Sequence, residues 1–228
     1  MSGQGQKLGK SGCFKKPHIE WRWNLMRIPD REECYHLICK MNMLDHIVVH
    51  SLQVCRVATF LVDHMEISGK TLNREMVQAS ALLHDITKTR SFETKENHAQ
   101  TGELLLTDLG YPEVGYIIGQ HVRLDKYFAS ETPTEAEIVN YADKRILHDK
   151  VVTLKERMTY ILEKYVGATE HRQRFCWLWR KTEELETRLF KFLSFFPEEL
   201  GRRLGPEDSS AEFLSYQDLC VQHSPSNR

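Results

Sequence analysis

The sequence predicts an all-α protein: a single helical bundle followed by a carboxy-terminal helical extension. Three observations carry that prediction. From Asp30 onward, apolar residues recur at intervals of three and four almost everywhere, the period of a helix with one buried face. Residues suited to capping stand just ahead of several of these runs. No convincing strand-like alternation and no internal repeat is present.

Taken in order, residues 1–25 are rich in Gly, Ser, Gln and Lys and are expected to form a flexible N-terminus. The main domain covers residues 26–165. Asp30 with Glu33 reads as a capping box opening REECYHLICKMN. Met43 to about His64 is a long helix, with Ile47, Leu52, Val54, Val57, Phe60 and Leu61 spaced along its apolar face. Ser68 and Gly69 interrupt, and Asn73 caps a third helix running to about Asp85. Thr87 to Glu96 reads as a polar loop. His98 to Leu109 is helical and closed by Gly110, and Pro112 opens the next helix, through His121. After Pro133 the capping pair Thr134 and Glu137 launches a helix to about Asp149. Residues 166–200 form the helical extension. Its amphipathic segment RFCWLWRKTEELETRLFKFLSFF covers the core or makes a homodimer contact, the first being preferred. Residues 201–228 are polar with short apolar islands and are expected to be a disordered tail.

A chain of 228 residues, 41% hydrophobic and 28% charged, has the ordinary composition of a soluble globular protein. Its net charge of -1 gives no reason to expect nucleic acid or an anionic membrane as partner. The opening MSGQGQKLGKSGCFKKPH lacks the apolar core of a signal peptide, and IVVHSLQVCRVATFLV is broken by His, Gln and Arg, so no membrane span is expected. The expected setting is cytoplasmic. The six cysteines, at 13, 34, 39, 55, 176 and 220, form no C-x-x-C pair and are expected to stay reduced.

Residues 82–102, LLHDITKTRSFETKENHAQTG, pose the chemical question. An apolar run ends on His84 and Asp85, two ionisable side chains whose unpaired burial would cost several kcal/mol. Four further histidines stand at helix ends or on apolar faces: His50, His98, His121 and, less convincingly, His46. Asp143 lies in a similarly apolar helix. Adjacent helical residues point about 100° apart, so His84 and Asp85 can approach one ion from two directions, or two neighbouring ions. A divalent cation replaces the water each group loses. Nitrogen and oxygen donors without thiolate suit Fe, Mn, Co, Ni, Zn or Mg.

In HSLQVCRVA, LLHDITK and IVNYADKRI, with His50, His84–Asp85 and Asp143, the chain resembles the HD-domain superfamily of metal-dependent phosphohydrolases over about residues 43–160. NHAQTG and IIGQHV add His98 and His121, so the series is similar to the HDIG-type, six-ligand dinuclear branch. The resemblance implies that His50, His84 and Asp143 hold one divalent ion and His98 and His121 a second, with Asp85 bridging. It departs from the branch degrading cyclic dinucleotides, which has a histidine pair near position 121 and a GYP signature; Gly110–Tyr111–Pro112 stands elsewhere and opens another helix. The implied activity is hydrolysis of a phosphate ester of a small, nucleotide-type molecule by a metal-activated hydroxide. Lys88, one turn past the doublet, is the candidate catalytic and substrate-binding cation beside Asp85. Arg123 is a second candidate for the phosphate, while Arg90, Lys95 and Lys144 rank lower. His46 shares the face of His50 as an alternative or supporting ligand, and His148 and Asp149 are expected outside the site. The same ligands occur in mixed-valent di-iron oxygenases of the superfamily, and a non-catalytic metal-binding regulatory module is a third reading.

Overall fold

The computed structural model describes residues 27–67, 72–165, 169–206 and 209–223. The expectation for residues 1–25 lies outside them. Helix α1 (Arg31–Lys40) starts on the expected capping box: the Asp30 carboxylate accepts from the Glu33 amide while the Asp30 amide donates to the Glu33 carboxylate. Helix α2 (Asp45–His64) is buried on nearly every side, with Ser51, Gln53 and Thr59 enclosed as well as Val48, Leu52, Val57 and Leu61. An all-round buried helix is the axis of a bundle rather than its surface. Packed on it are α3 (Arg74–Leu83), capped by Asn73, and α7 (Glu135–Asp143), opened by the Thr134–Glu137 box. Helices α5 (His98–Asp108) and α6 (Pro112–Gly119) pack as a close pair. A Cβ at Gly115 would come within 2.8 Å of the Glu103 carbonyl, so the approach of the two backbones requires glycine there.

Several elements differ from expectation. Residues 88–94 form a short helix, α4 (Lys88–Thr94), ended by Lys95 at φ 59°. It buries no residue of its own, which is why its sequence carries no apolar period. Helix α7 stops at Asp143 rather than near 149. The chain then turns back through a two-residue hairpin, β1 (Ile146–Leu147) with β2 (Lys150–Val151), where Ile146 opposes Val151. His148 adopts φ 59° at the turn, and the Val152 amide closes on the Arg145 carbonyl at 2.8 Å.

Helix α8 (Leu154–Tyr165) leads to α9 (Thr169–Leu189), whose Thr182, Leu185 and Leu189 are buried as α9 packs on α7. This half of the extension covers the core. Arg145, with only 2% of its surface exposed, ties the region together. Its guanidinium donates to the carbonyls of Val152 (2.7 Å) and Pro197 (3.0 Å), to Glu186 (3.3 Å) and to the Tyr141 hydroxyl.

Within the tail expected to lack order, the described residues instead form α10 (Leu200–Leu204) and α11 (Ser209–His223). Phe213, Tyr216 and Cys220, spaced by three and four, make a short apolar face against the bundle. The Tyr35 hydroxyl donates to Glu212 at 2.6 Å, and Arg31 pairs with the same carboxylate. Cys220 forms a disulfide with Cys39, the Cα atoms 5.7 Å apart, which corrects the expectation of six reduced cysteines. The partners stand 181 residues apart in the chain, so no spacing rule could pair them. Cys34 and Cys55 remain buried thiols, and burial pushes Cys55 up to about 11. No helix among the described residues is long and apolar enough to cross a membrane.

Candidate metal centre

Five of the six expected ligands stand at helix boundaries. His84 and Asp85 occupy the turn after α3, His98 is the first residue of α5, His121 lies just past α6, and Asp143 ends α7. His50 comes from the second turn of the central α2. The apolar face of each helix fixes where its end sits, and so brings these side chains to one place. The result is a cluster in which His50, His84, Asp85, His121 and Asp143 are all buried.

Three of the imidazoles are held in the same way. The Nδ1–H of His50 donates to the His148 carbonyl at 3.2 Å, that of His84 to Ala81 at 2.8 Å, and that of His121 to Ile118 at 2.7 Å. A carbonyl can only accept, so each neutral ring carries its proton on Nδ1 and turns an Nε2 lone pair inward. What those lone pairs face is more negative charge. His50 Nε2 lies 3.1 Å from Asp143 Oδ1, and His84 Nε2 lies 3.4 Å from Asp85 Oδ2 and 3.8 Å from Asp143 Oδ1. Asp85 Oδ1 is 3.2 Å from His98 Nε2 and 3.5 Å from His121 Nε2, and those two nitrogens are 3.0 Å apart.

Two of these inward atoms, His84 Nε2 and Asp85 Oδ1, are buried without any hydrogen-bond partner. Leaving such groups unpaired costs about 1–3 kcal/mol each. A cation satisfies both. Five of the six expected donors fall into two groups, His50–His84–Asp85 and Asp85–His98–His121, with all donor atoms in a group within 4.8 Å of one another, while Asp143 belongs to neither and reaches the first through His50. Asp85 belongs to both groups.

The electrostatics agree. Burial would raise the Asp85 carboxyl, but the charges of His84 and Lys88 outweigh it and hold the group well below the usual carboxylate range. Burial likewise works against Asp143, and Lys144 and His50 reverse it. Burial pushes His121 down to about 4 and also lowers His50. His84 moves the other way: burial opposes its charge, yet the Asp85 and Asp143 carboxylates prevail and raise it. The site therefore holds two ionised carboxylates among imidazoles, a field that draws in positive charge.

Lys88 Nζ donates to Asp85 Oδ2 at 2.6 Å, with a third of the side chain still exposed. A cavity of about 300 Å³ opens above it, floored by His50 and Asp85. Its outer wall is α8, which presents Arg157, Tyr160 and Lys164. Sequence reasoning missed this wall, although the three residues share one face of a helix at intervals of three and four. His148, expected outside the site, stands at the cavity mouth with its ring 5.4 Å from Tyr160. His46 is exposed at the same mouth and belongs to neither donor group.

Arg123 is a correction. It is exposed and lines a separate cleft of about 610 Å³ with Arg174 and Trp177, to which no metal-donor residue contributes, because the chain past His121 turns outward. Of the lower-ranked cations, Lys144 is buried, pairs with Asp143 at 2.9 Å and donates to the His121 carbonyl. Arg90 pairs with Glu96 on the surface, and Lys95 donates to the Phe92 carbonyl.

Residues 47–146 match the family model of the HD domain. Among curated proteins, a tRNA (cytidine(56)-2'-O)-methyltransferase of Picrophilus torridus is 27% identical over 158 residues, 63% of this chain. The chain spans 43% of the length of that relative. No solved structure matches the chain.

Proposed function

The chain carries an HD domain over residues 47–146, and on that premise we propose that it is a metal-dependent phosphohydrolase acting on a phosphate ester of a small, nucleotide-type molecule. The observation that carries this reading is the pair of donor groups sharing Asp85, with two buried lone-pair atoms that a cation would satisfy. His50, His84 and Asp143 would hold one ion and His98 and His121 the other, with Asp85 between them. Two divalent ions, when bound, supply an activated water and neutralise phosphoryl charge.

The remaining work falls to the chain. The carbonyls of His148, Ala81 and Ile118 lock three imidazoles with Nε2 inward, so the donors need no rearrangement. Lys144 holds Asp143 ionised and in place. Lys88, anchored on Asp85 and open to the cavity, meets a non-bridging phosphoryl oxygen and stabilises the charge that grows there in the transition state. Arg157 and Lys164 make the approach to the cavity positive, which suits an anionic substrate. The volume is at the small end of ligand pockets, roughly 300–1,000 Å³, in keeping with a metabolite rather than a folded nucleic acid. Methyl transfer to tRNA, the activity in the relative's name, is not proposed for this chain, since the described residues centre on a cation site.

The test is elemental analysis of the purified protein, then a panel of nucleotides and simple phosphate esters with the metal found. Release of phosphate by the manganese form without oxygen supports the reading. Oxygen consumption linked to product, with no anaerobic turnover, would instead favour a di-iron oxygenase.

A further inference from the structure

Among the described residues Arg157 has no counter-ion. Its Nε is buried without a hydrogen-bond partner, and among the described residues no carboxylate lies within ion-pair distance of its guanidinium. It lines the cavity over Asp85 but makes no ion pair with it, so it sits farther out than Lys88, which touches Asp85 directly. The two cations repel across the cavity, and among the described residues Asp85 is the only carboxylate residue that lines it. A half-enclosed guanidinium facing a second cation, with the carboxylate that lines the cavity already committed to Lys88, is unfavourable unless an anion enters between them. The same face of α8 continues to Lys164, seven residues and about 10 Å further along, where Lys164 Nζ donates to the Tyr160 hydroxyl at 2.6 Å.

Helix α8 is also attached differently from the rest. Leu154 and Met158 pack with Phe175 in a small apolar cluster separate from the main core. An element with few ties to the bundle gains most from a ligand that bridges it to the bundle.

We propose that Arg157 is an anion-binding residue of this site, holding a second phosphoryl group beside the one Lys88 meets, so that the substrate carries two linked phosphoryl groups. This rests on the phosphohydrolase reading for the word substrate, though not for the binding site itself. The guanidinium grips two oxygens of the outer group at once, a geometry that lysine cannot reproduce. α8 thereby becomes the element that tells diphosphates from monoesters.

The experiment titrates methylenediphosphonate, whose P–C–P bridge has no ester bond to hydrolyse, and methylphosphonate into the metal-loaded full-length protein by calorimetry. Metal content is measured before and after. The wild type should bind the diphosphonate at least tenfold more tightly than the monophosphonate. Arg157→Ala should remove that preference, leave methylphosphonate binding within about threefold and keep the metal; Arg157→Lys should recover only part. Amide exchange over residues 154–165 should slow with diphosphonate in the wild type and not in Arg157→Ala. Arg157→Gln serves as the second neutral variant if the alanine protein is poorly folded. Equal wild-type affinity for both compounds, or equal loss of both in the neutral variants, would overturn the proposal. Diphosphonate binding that depends on Arg157, together with no turnover of any phosphate ester, would sink the hydrolase reading and leave this site standing.

Discussion

If cations offset the buried lone pairs, removing metal must cost fold stability, and the loss must run through Asp85. The unpartnered His84 Nε2 and Asp85 Oδ1 together represent about 2–6 kcal/mol of unmet hydrogen bonding. Independently, free metal at a hundred times Kd stabilises the folded state by about 2.7 kcal/mol per site. At about 2–4 °C per kcal/mol for a chain of this size, loading one site should raise the melting temperature by roughly 5–10 °C. The two routes agree in scale. The assay is calorimetric melting of chelator-treated protein before and after metal is restored, with bound metal counted by elemental analysis. Asp85→Asn keeps the shape of the side chain but removes the charge shared by both donor groups, so it should lose both equivalents and most of the metal-dependent shift. His50→Ala and His98→Ala each break one group and should each lose one equivalent. The comparison is made on the shift rather than the absolute melting temperature, because Asp85→Asn also strips Lys88 of its partner. Coincident melts with and without metal, or full occupancy in Asp85→Asn, would refute the reasoning.

Lys88→Ala should keep its metal and lower phosphate release by roughly a hundredfold, the usual scale for losing one charge-stabilising donor; unchanged turnover on every ester would remove its role. Arg145→Ala should destabilise the fold by about 3 kcal/mol, since it leaves the Val152 and Pro197 carbonyls without their donor and the partly buried Glu186 without its cation, read from urea midpoints at constant slope. Cys220→Ser should lower stability under oxidising conditions by about 2–4 kcal/mol and abolish the difference between oxidised and reduced samples. Metal-free protein should lose stability on acidification. Burial holds His121 at about 4 when folded, against about 6.5 unfolded, so its contribution is complete above 6.5 and disappears as the pH falls towards 4. The loss is at most about 3 kcal/mol, and His84, which moves the opposite way, reduces it; urea midpoints that stay flat from pH 7 to 5 would contradict this assignment.

The donors were legible in the sequence because each is a polar residue set against an apolar period. His84 and Asp85 end the run of α3, and Asp143 closes a helix whose opening box is readable from Thr134 and Glu137. The wall opposite was not. Arg157, Tyr160 and Lys164 belong to a helix beginning about seventy residues after the doublet, and a cationic face on a mostly exposed helix looks the same whether it meets solvent or a cavity. Arg145 shows the converse. A charged residue two positions past a ligand reads as surface, and only the convergence of the hairpin, α9 and the turn at Pro197 encloses it. Likewise α11 is pinned by partners from α1, which local pattern cannot supply.

These differences separate two kinds of information. A ligand's burial is decided by its own helix, so a local period reveals it, whereas its orientation is decided by the carbonyl that its Nδ1–H meets. For His84 and His121 that carbonyl lies three residues back, at Ala81 and Ile118, and the helix end alone suffices to aim the ring. For His50 it comes from His148, ninety-eight residues on, at a turn held by a left-handed backbone. His50 is therefore the ligand whose aim depends on the hairpin. The hairpin in turn leads directly into α8, the wall that carries Arg157. The hairpin that aims His50 thus also leads into the wall that carries Arg157, and His50 itself lines the cavity below that wall, which places the His50 group on the side of the site that a bound anion would meet.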